Sequence, residues 1–508
     1  MDLDRLLARF PDPHALDAEY VTRALLQVQY LPHIKKEGEE LPPIFSSESF
    51  DLEAARAVSG MKPVHASWIE LRTRRFDGLV RRLGVPNPVP YAKLVLHVRA
   101  HWSHLVARLG SEQSQIKPEW HADGRLLQMD YVEKSEEHHQ YTLLAQGKQY
   151  LVKADISNCF PSIYSHSLDW ALRGKRVAKA WAKGRRKPPS WEAKLDQVAR
   201  NCVNQETKGL LIGPAVSNLL AEIVLQKIDG ELSSVPFVRF IDDYSAYCSS
   251  REEAEDFIVD LQKALSVYRL DLNTRKTKIV SLRDGIGDEW MGDVLSHLPS
   301  TKSDLAAARF LQQAELLARQ HPSESVLKFA SKTLLGSDDR SEAGSLYLVD
   351  ELIRLSQFHS HLLPILSREI AKVGHLGSGY RERLAEPLRA QLLRAARARE
   401  TDSVLWLLYI IRSQLGRALE LKAVDPILDL EDDLIWIAVG VLDRRRSGRV
   451  ARRIREVEYV DEMDWQAHWL ARYEYWRIGL LEDKDLFYEE YEWMDVLRMK
   501  GVSFSDLS

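Results

Sequence analysis

Three aspartates, one ending an apolar strand and two at a hairpin tip, constrain this chain more than any other feature. The segment YLVKADISNCF reads as a strand over Tyr150–Ile156 that carries Asp155 at its end. Ending an apolar strand on a carboxylate costs desolvation unless a cation or a donor compensates. Further on, FVRFIDDYSAYC reads as two strand runs, 237–241 and 244–248, with Asp242 and Asp243 forming the tight turn between them. Adjacent carboxylates at a hairpin tip repel one another, and a divalent metal is the natural compensation. Asp is also a common turn former, so the hairpin alone reads as an ordinary turn. Asp155, 87 residues earlier at a strand end, changes that reading. Three carboxylates converging from two strands are what two-metal phosphoryl transfer needs.

The flanking segments fit such a site. GLLIGPAVS, Gly209–Ser217, precedes the helix-like NLLAEIVLQKID. Two glycines before a helix let the backbone approach a flat ligand such as a base pair, although such turns mostly serve packing. After the hairpin come the helix-like REEAEDFIVDLQKAL, then LDLNTRKTKIVSL with Lys276 and Lys278, then Glu289-Trp-Met-Gly292. Residues 150–290 therefore alternate strand and helix. From about residue 300 apolar residues recur at spacings of three and four, as in LAEPLRAQLLRAARARE and DSVLWLLYIIRSQLG, which predicts helices. Their spacing suggests stacked helix pairs without a repeat consensus.

The expected organisation of the 508 residues has four parts. They are an N-terminal extension (1–60), a mixed α+β region (61–298), an α-helical region (299–455) and an acidic, aromatic-rich tail (456–508). The tail aromatics stand at helical spacing and read as core more readily than as a ligand site. Charge is unevenly spread. Arg173–Lys187 holds eight basic residues and Arg444–Arg455 seven arginines, with no acid in either run. The tail carries 14 acidic and 5 basic residues. A basic body with an acidic tail is compatible with a polyanionic partner, while each run alone reads as a solvated surface. Three cysteines are too few for a disulfide framework and fit a reducing cytoplasm. No apolar run approaches the roughly 18 residues of a membrane span, so no membrane partner is expected.

In order, these segments resemble the motifs of reverse transcriptases. ADISNCF resembles motif A, GLLIGPAVSNLLAE motif B, and RFIDDY the Tyr-X-Asp-Asp box of motif C, with Phe240 in place of the usual Tyr. LNTRKTKI resembles motif D, and Trp290, Met291 and Gly292 the motif E primer grip. The resemblance implies a right-hand fingers and palm followed by a helical domain in place of a standard thumb. It implies an RNA-directed DNA polymerase that adds dNTPs with two Mg²⁺ ions, or Mn²⁺. Asp155, Asp242 and Asp243 would be catalytic and metal-binding, with the Ile156 carbonyl completing one metal. Arg81, in RRLGVP, would hold the incoming triphosphate, alongside Gly213 and Lys276. Phe160 resembles the bulky gate that blocks a ribose 2′-hydroxyl. KADISNCFPSIYSHSLDWAL, ELPPIF and the long helical region are similar to the bacterial abortive-infection and defence-associated group. That group implies antiphage defence and a homo-oligomer. Some members synthesise DNA without an external template or prime on a protein hydroxyl, and some use a noncoding RNA. Tail tyrosines such as Tyr473, Tyr475, Tyr488 and Tyr491 are then candidate priming hydroxyls. Motif B carries Ile212 where a Gln is usual, which departs from ordinary templated elongation. The alternatives are a catalytically silent nucleic-acid scaffold and a retron or group II intron type of reverse transcriptase.

Overall fold

The fold is taken from a computed structural model that describes residues 16–32, 40–127, 134–183, 189–232, 235–284, 289–299, 304–335, 342–373, 377–418 and 421–508. Its N-terminal half is built on two antiparallel sheets. One is a hairpin of β1 (Trp68–Arg74) and β2 (Val80–Pro86), in which Thr73 faces Arg81. The other has the strand order β4-β5-β3-β6, from β3 (Tyr150–Asp155), β4 (Phe237–Phe240), β5 (Asp243–Cys248) and β6 (Lys278–Ser281). The hairpin leads into helix α1 (Pro88–Ala100), capped by the Asn87 side chain with proline in its first turn, where a missing N–H costs nothing.

Side chains alternate across a sheet, and the register sorts them. Asp155 pairs with Asp243, Lys153 with Ser245 and Leu151 with Tyr247, so these share one face. Ala154, Val152, Tyr244, Ala246 and Cys248 share the other and are buried. Behind that face run helices α2 (His166–Arg173), α3 (Lys175–Lys183), α4 (Trp191–Asn201), α5 (Ala215–Asp229) and α6 (Arg251–Val267). The α6 residues Phe257, Leu261 and Leu265 are fully buried. The α5 helix is apolar almost all round and lies inside the core, as the run NLLAEIVL dictates.

Two expectations shift. The hairpin turn was expected at Asp242–Asp243, but Phe240 pairs with Asp243, so the turn is Ile241–Asp242 and Asp243 opens β5. Residues 456–508 are also no loose tail. Trp469, Tyr473, Tyr475 and Trp493 are fully buried, and helices Trp469–Arg477 and Tyr488–Met499 join the core. The reading of these aromatics as core holds.

The described residues of the C-terminal region form helices joined by loops, and several contacts tie it to the N-terminal half, two of them at its sheet edge and its first segment. At the first, Asp402 accepts the Arg74 N–H at 2.7 Å and Thr401 donates to the Arg72 carbonyl at 3.3 Å, which caps the free edge of β1. At the second, Ser505 bridges Phe45, and the Phe504 carbonyl accepts the Ser46 N–H at 3.1 Å. Phe504 is fully buried among Tyr30, Phe50 and Trp469. The residues placed in an extension and in a tail thus close on each other. Replacing Phe504 by Ala opens a cavity in that seam and is expected to cost about 3–5 kcal/mol, read as a lowered midpoint in denaturant unfolding.

Candidate active site

Asp155 and Asp243 stand opposite each other on neighbouring strands, within hydrogen-bonding reach. Like charges so placed destabilise a sheet. Asp242 joins them from the turn, where its carbonyl accepts the Ile156 N–H at 3.1 Å. Burial, followed by the charge of Asp155, pushes the Asp242 carboxyl up, while Lys276 and Arg81 pull it down. Burial, followed by the charges of Asp242 and Asp155, pushes the Asp243 carboxyl up to about 7. The structure therefore brings together Asp155, Asp242, Asp243, Arg81 and Lys276, all five expected from sequence.

Lys276 Nζ lies 2.7 Å from Asp155 Oδ2, and Asn273 Nδ2 donates to Asp155 Oδ1 at 3.0 Å. The Asn273 N–H also donates to the Asp155 carbonyl, at 2.7 Å. Burial opposes the charge on Lys276, yet the bond to Asp155 holds its ammonium above the usual range. Arg75, at the end of the β1–β2 hairpin, also acts on Lys276. Arg81 is exposed on β2 and has no ion pair among the described residues.

What fixes the turn is Arg239, fully buried on β4. Its guanidinium donates to Glu222 at 2.8 and 3.0 Å and to Asp229 at 2.8 and 3.0 Å, both on α5. It also donates to the Ile241 carbonyl at 2.8 Å. Ile241 has φ of +55°, a left-handed conformation that a β-branched residue adopts only when its surroundings force it. Tyr244 completes the cluster by donating to Asp229 at 3.0 Å, and Ser114 donates to Glu222 at 2.9 Å. Arg239, Glu222, Asp229 and Asn273 escaped sequence reasoning. An arginine inside an apolar strand was the available signal.

Other expected residues sit differently. Phe160 lies on the short helix Cys159–Ser162 that follows β3, is 9% exposed, and its carbonyl accepts the Leu210 N–H. Ile156 is buried beside Leu272. Gly213 has φ of +134°, and a Cβ there would meet Pro32 at 2.8 Å and the Gly84 carbonyl at 3.2 Å. Its freedom lets the backbone pack closely against the N-terminal segment and β2. Trp290, Met291 and Gly292 lie on the helix Glu289–Ser296, where the buried Trp290 ring meets Phe329 edge-on at 5.4 Å.

Three clustered carboxylates suit hard divalent cations such as Mg²⁺ or Mn²⁺, which take oxygen ligands. Among the described residues, no three His, Cys, Asp or Glu side chains form a ready ligand cage. Both Asp155 oxygens face donors, and the Lys276 ammonium holds the position that a metal would contest. The oxygen chemistry of the carboxylates, rather than a preformed cage among the described residues, is what suits such a cation.

A four-stranded antiparallel sheet that gathers carboxylates at one end, backed by helices and faced by a cationic hairpin, is a polymerase palm with fingers. Residues 103–329 match the family model for reverse transcriptase (RNA-dependent DNA polymerase). That segment is a reverse transcriptase domain, and it makes the chain a nucleotidyltransferase of the RNA-directed DNA polymerase class, acting on nucleic acid. No curated protein matches the chain. Apo telomerase from Candida tropicalis is a similar solved structure, at 10% identity over 77% of this chain and 68% of its own, with a TM-score of 0.32. No described helix is long and apolar enough to cross a membrane.

The raised Asp243 carboxyl sets a pH dependence for metal-free protein. Folded Asp243 holds its proton to about pH 7, whereas an unfolded Asp loses it near 3.9. The folded state therefore binds more protons between those values, and stability falls as pH rises through that window. The melting temperature of metal-stripped protein should drop from pH 5 to pH 7.5. Asp243→Asn should flatten that drop, and added Mg²⁺ should raise stability more at pH 7.5 than at pH 5.

Proposed function

We propose that this chain extends a hydroxyl with deoxynucleotides by two-metal phosphoryl transfer, with Asp155, Asp242 and Asp243 holding two Mg²⁺ ions. The observation that carries this is the Asp155–Asp243 pairing across β3 and β5 with Asp242 beside it, a concentration of negative charge that folding alone has no reason to assemble. When bound, the metal pair supplies activation of the attacking hydroxyl and stabilisation of the leaving oxygen. The chain's own residues do the rest. Arg81 and Lys276 present positive charge to a triphosphate. Lys276 is 57% exposed and makes a single bond to Asp155, so it can trade that carboxylate for a phosphate oxygen. Phe160, just past Asp155, bars the 2′-hydroxyl of a ribonucleotide. Ile156 contributes a carbonyl at the metal, Gly213 lines the nucleotide, and Trp290–Gly292 guides the primer end.

The finer reading is an antiphage defence enzyme, homo-oligomeric and cytoplasmic, that works with an RNA template or a noncoding RNA. It rests on the likeness of the motif A segment and the helical C-terminal region to that group. Ile212 in motif B supports synthesis without an external template. Among the candidate priming hydroxyls, Tyr473 and Tyr475 are buried, with their hydroxyls donating to the carbonyls of Val502 and Trp436. Tyr488 is 89% exposed and Tyr491 37%, which leaves these two as the accessible ones of the four.

Labelled dNTP incorporation tests the reading. Asp155→Ala and Asp242→Ala should each reduce it by at least about 100-fold while the fold persists, because each removes charge that stabilises the transition state. Incorporation at the normal rate by the Asp242→Ala protein would sink the metal assignment. A wild-type protein that incorporates nothing under any priming condition would instead favour the silent scaffold.

Sugar selection is tested separately. Phe160→Ala should shift the ratio of kcat/KM for a dNTP over its matching rNTP towards the rNTP by about tenfold or more, with Mg²⁺ dependence retained. An unmoved ratio would leave Phe160 as a core residue only.

A further inference from the structure

The basic run beginning at Arg173 is not used by the catalytic site. Arg173 itself is neutralised, with two bonds of 2.5 Å to Asp169. Lys175 and Lys179, one turn apart on α3, are not. Their ammonium groups lie 4.5 and 5.6 Å from the centre of the Trp170 ring. Arg269, in the turn after α6, brings its guanidinium within 5.8 Å of the same ring and 4.3 Å of Tyr164. Three cations thus crowd one indole, two from α3 and one from the turn after α6. Among the described residues no carboxylate pairs with any of them.

The cluster is held in place. Lys175 Nζ donates to the Val267 carbonyl, which ties α3 to the end of α6. Arg269 has φ of +64°, an unfavourable conformation for a long side chain, and so is held over the rings at a backbone cost. Burial, then the charges of Lys179 and Arg269, lower the Lys175 ammonium below its usual range. Like charges gathered without a counter-ion raise the energy of the folded chain, and an anion would relieve it. Trp170 is 5% exposed, so its faces are closed to a stacking base. What faces solvent is charge alone.

The patch lies alongside the active site. Gly209 N–H donates to the Ile163 carbonyl and Leu210 N–H to the Phe160 carbonyl, both at 2.9 Å, and Tyr164 bridges Lys208. The segment from Phe160 to Tyr164 therefore runs beside the motif B loop, from the site to the patch. Four residues span at most about 14 Å. A nucleic-acid strand that advances about 3.4 Å per nucleotide covers that distance in about four nucleotides.

We propose that Lys175, Lys179 and Arg269 form an accessory site for the phosphate backbone of the nucleic acid that this enzyme handles, independent of base sequence. The proposal takes from the polymerase reading only that such a strand is present.

The test compares wild type, a K175Q/K179Q/R269Q variant, and a control variant, R251Q/K263Q/K484Q, that removes three cations elsewhere. Arg251, Lys263 and Lys484 are 70, 72 and 74% exposed, so the control positions tolerate the change, and thermal melts of both variants check that loss of the Lys175–Val267 bond leaves the fold intact. Affinity for a single-stranded oligonucleotide of about twenty nucleotides is measured by fluorescence anisotropy over a salt series. Each phosphate contact on a single strand contributes about 0.7 to the slope of log affinity against log salt, so losing three should make it shallower by about two. Binding at low salt should weaken by about 10- to 100-fold relative to the control variant. Slope and affinity equal to those of the control variant would overturn the proposal, as would the same weakening in both variants. Asp242→Ala protein run in parallel keeps the two readings apart, since it should lose incorporation while its salt slope stays that of wild type.

Discussion

A fully buried arginine organises the catalytic centre. Arg239 spans two carboxylates on α5 and the carbonyl of Ile241 in the hairpin turn. Removing one partner from such a buried cluster strands the remaining charges, at a cost of about 3–5 kcal/mol. The cluster therefore locks α5 to β4, and through Ile241 it sets the path of the chain into Asp242 and Asp243. The strained turn persists because a guanidinium, two carboxylates and a tyrosine hydroxyl all agree on one arrangement. The repulsion among the three clustered carboxylates is tolerated on this frame.

The helical C-terminal region bears on the same centre from the other side. Asp402 and Thr401 cap the outer edge of β1, and β1 carries β2 with Arg81. Arg81 acts on Asp242, so helices hundreds of residues away in sequence fix the strand pair that faces the carboxylates. The seam between Phe504 and the N-terminal aromatics closes the same body through the segment that touches Gly213. Fingers, palm and helical region are mechanically one frame around the carboxylates.

How much of this was legible in the sequence follows from the range of each interaction. Period-two alternation and a carboxylate at a strand end are local, so Asp155 and the hairpin could be read directly. The turn moved by one residue because its position depends on pairing between Phe240 and Asp243 and on a bond from Arg239, neither of which composition reveals. In 456–508, Trp469, Tyr473, Tyr475, Trp476 and Trp493 read correctly as core because helical spacing is also local, whereas Tyr488 and Tyr491 stand exposed. That the segment docks against Phe45 was hidden, since this contact joins opposite ends of the chain. Trp290–Gly292 matched a motif by letters, yet the surrounding residues favour a helix and the structure places them on one. The arginine run after residue 443 reads alone as a solvated surface, and the structure pairs Arg449, Arg453 and Arg455 with Asp425, Asp429 and Asp485. Two partners come from the acidic segment at the C-terminal end, Asp485 and Glu456, the latter 3.9 Å from Arg453.

The choice of cation at each position follows the same logic. Arg239 must stay charged with no water around it and satisfy several acceptors at once, which a planar guanidinium of very high pKa does and an ammonium cannot. Lys276 has the opposite task. It touches one oxygen of Asp155 from a mostly exposed position, so its bond is cheap to break and its flexible stem can follow a different anion. A buried cation on β4 and a mostly exposed one at Asp155 thus divide the work, the first fixing where the carboxylates stand and the second balancing their charge through a bond that solvent weakens.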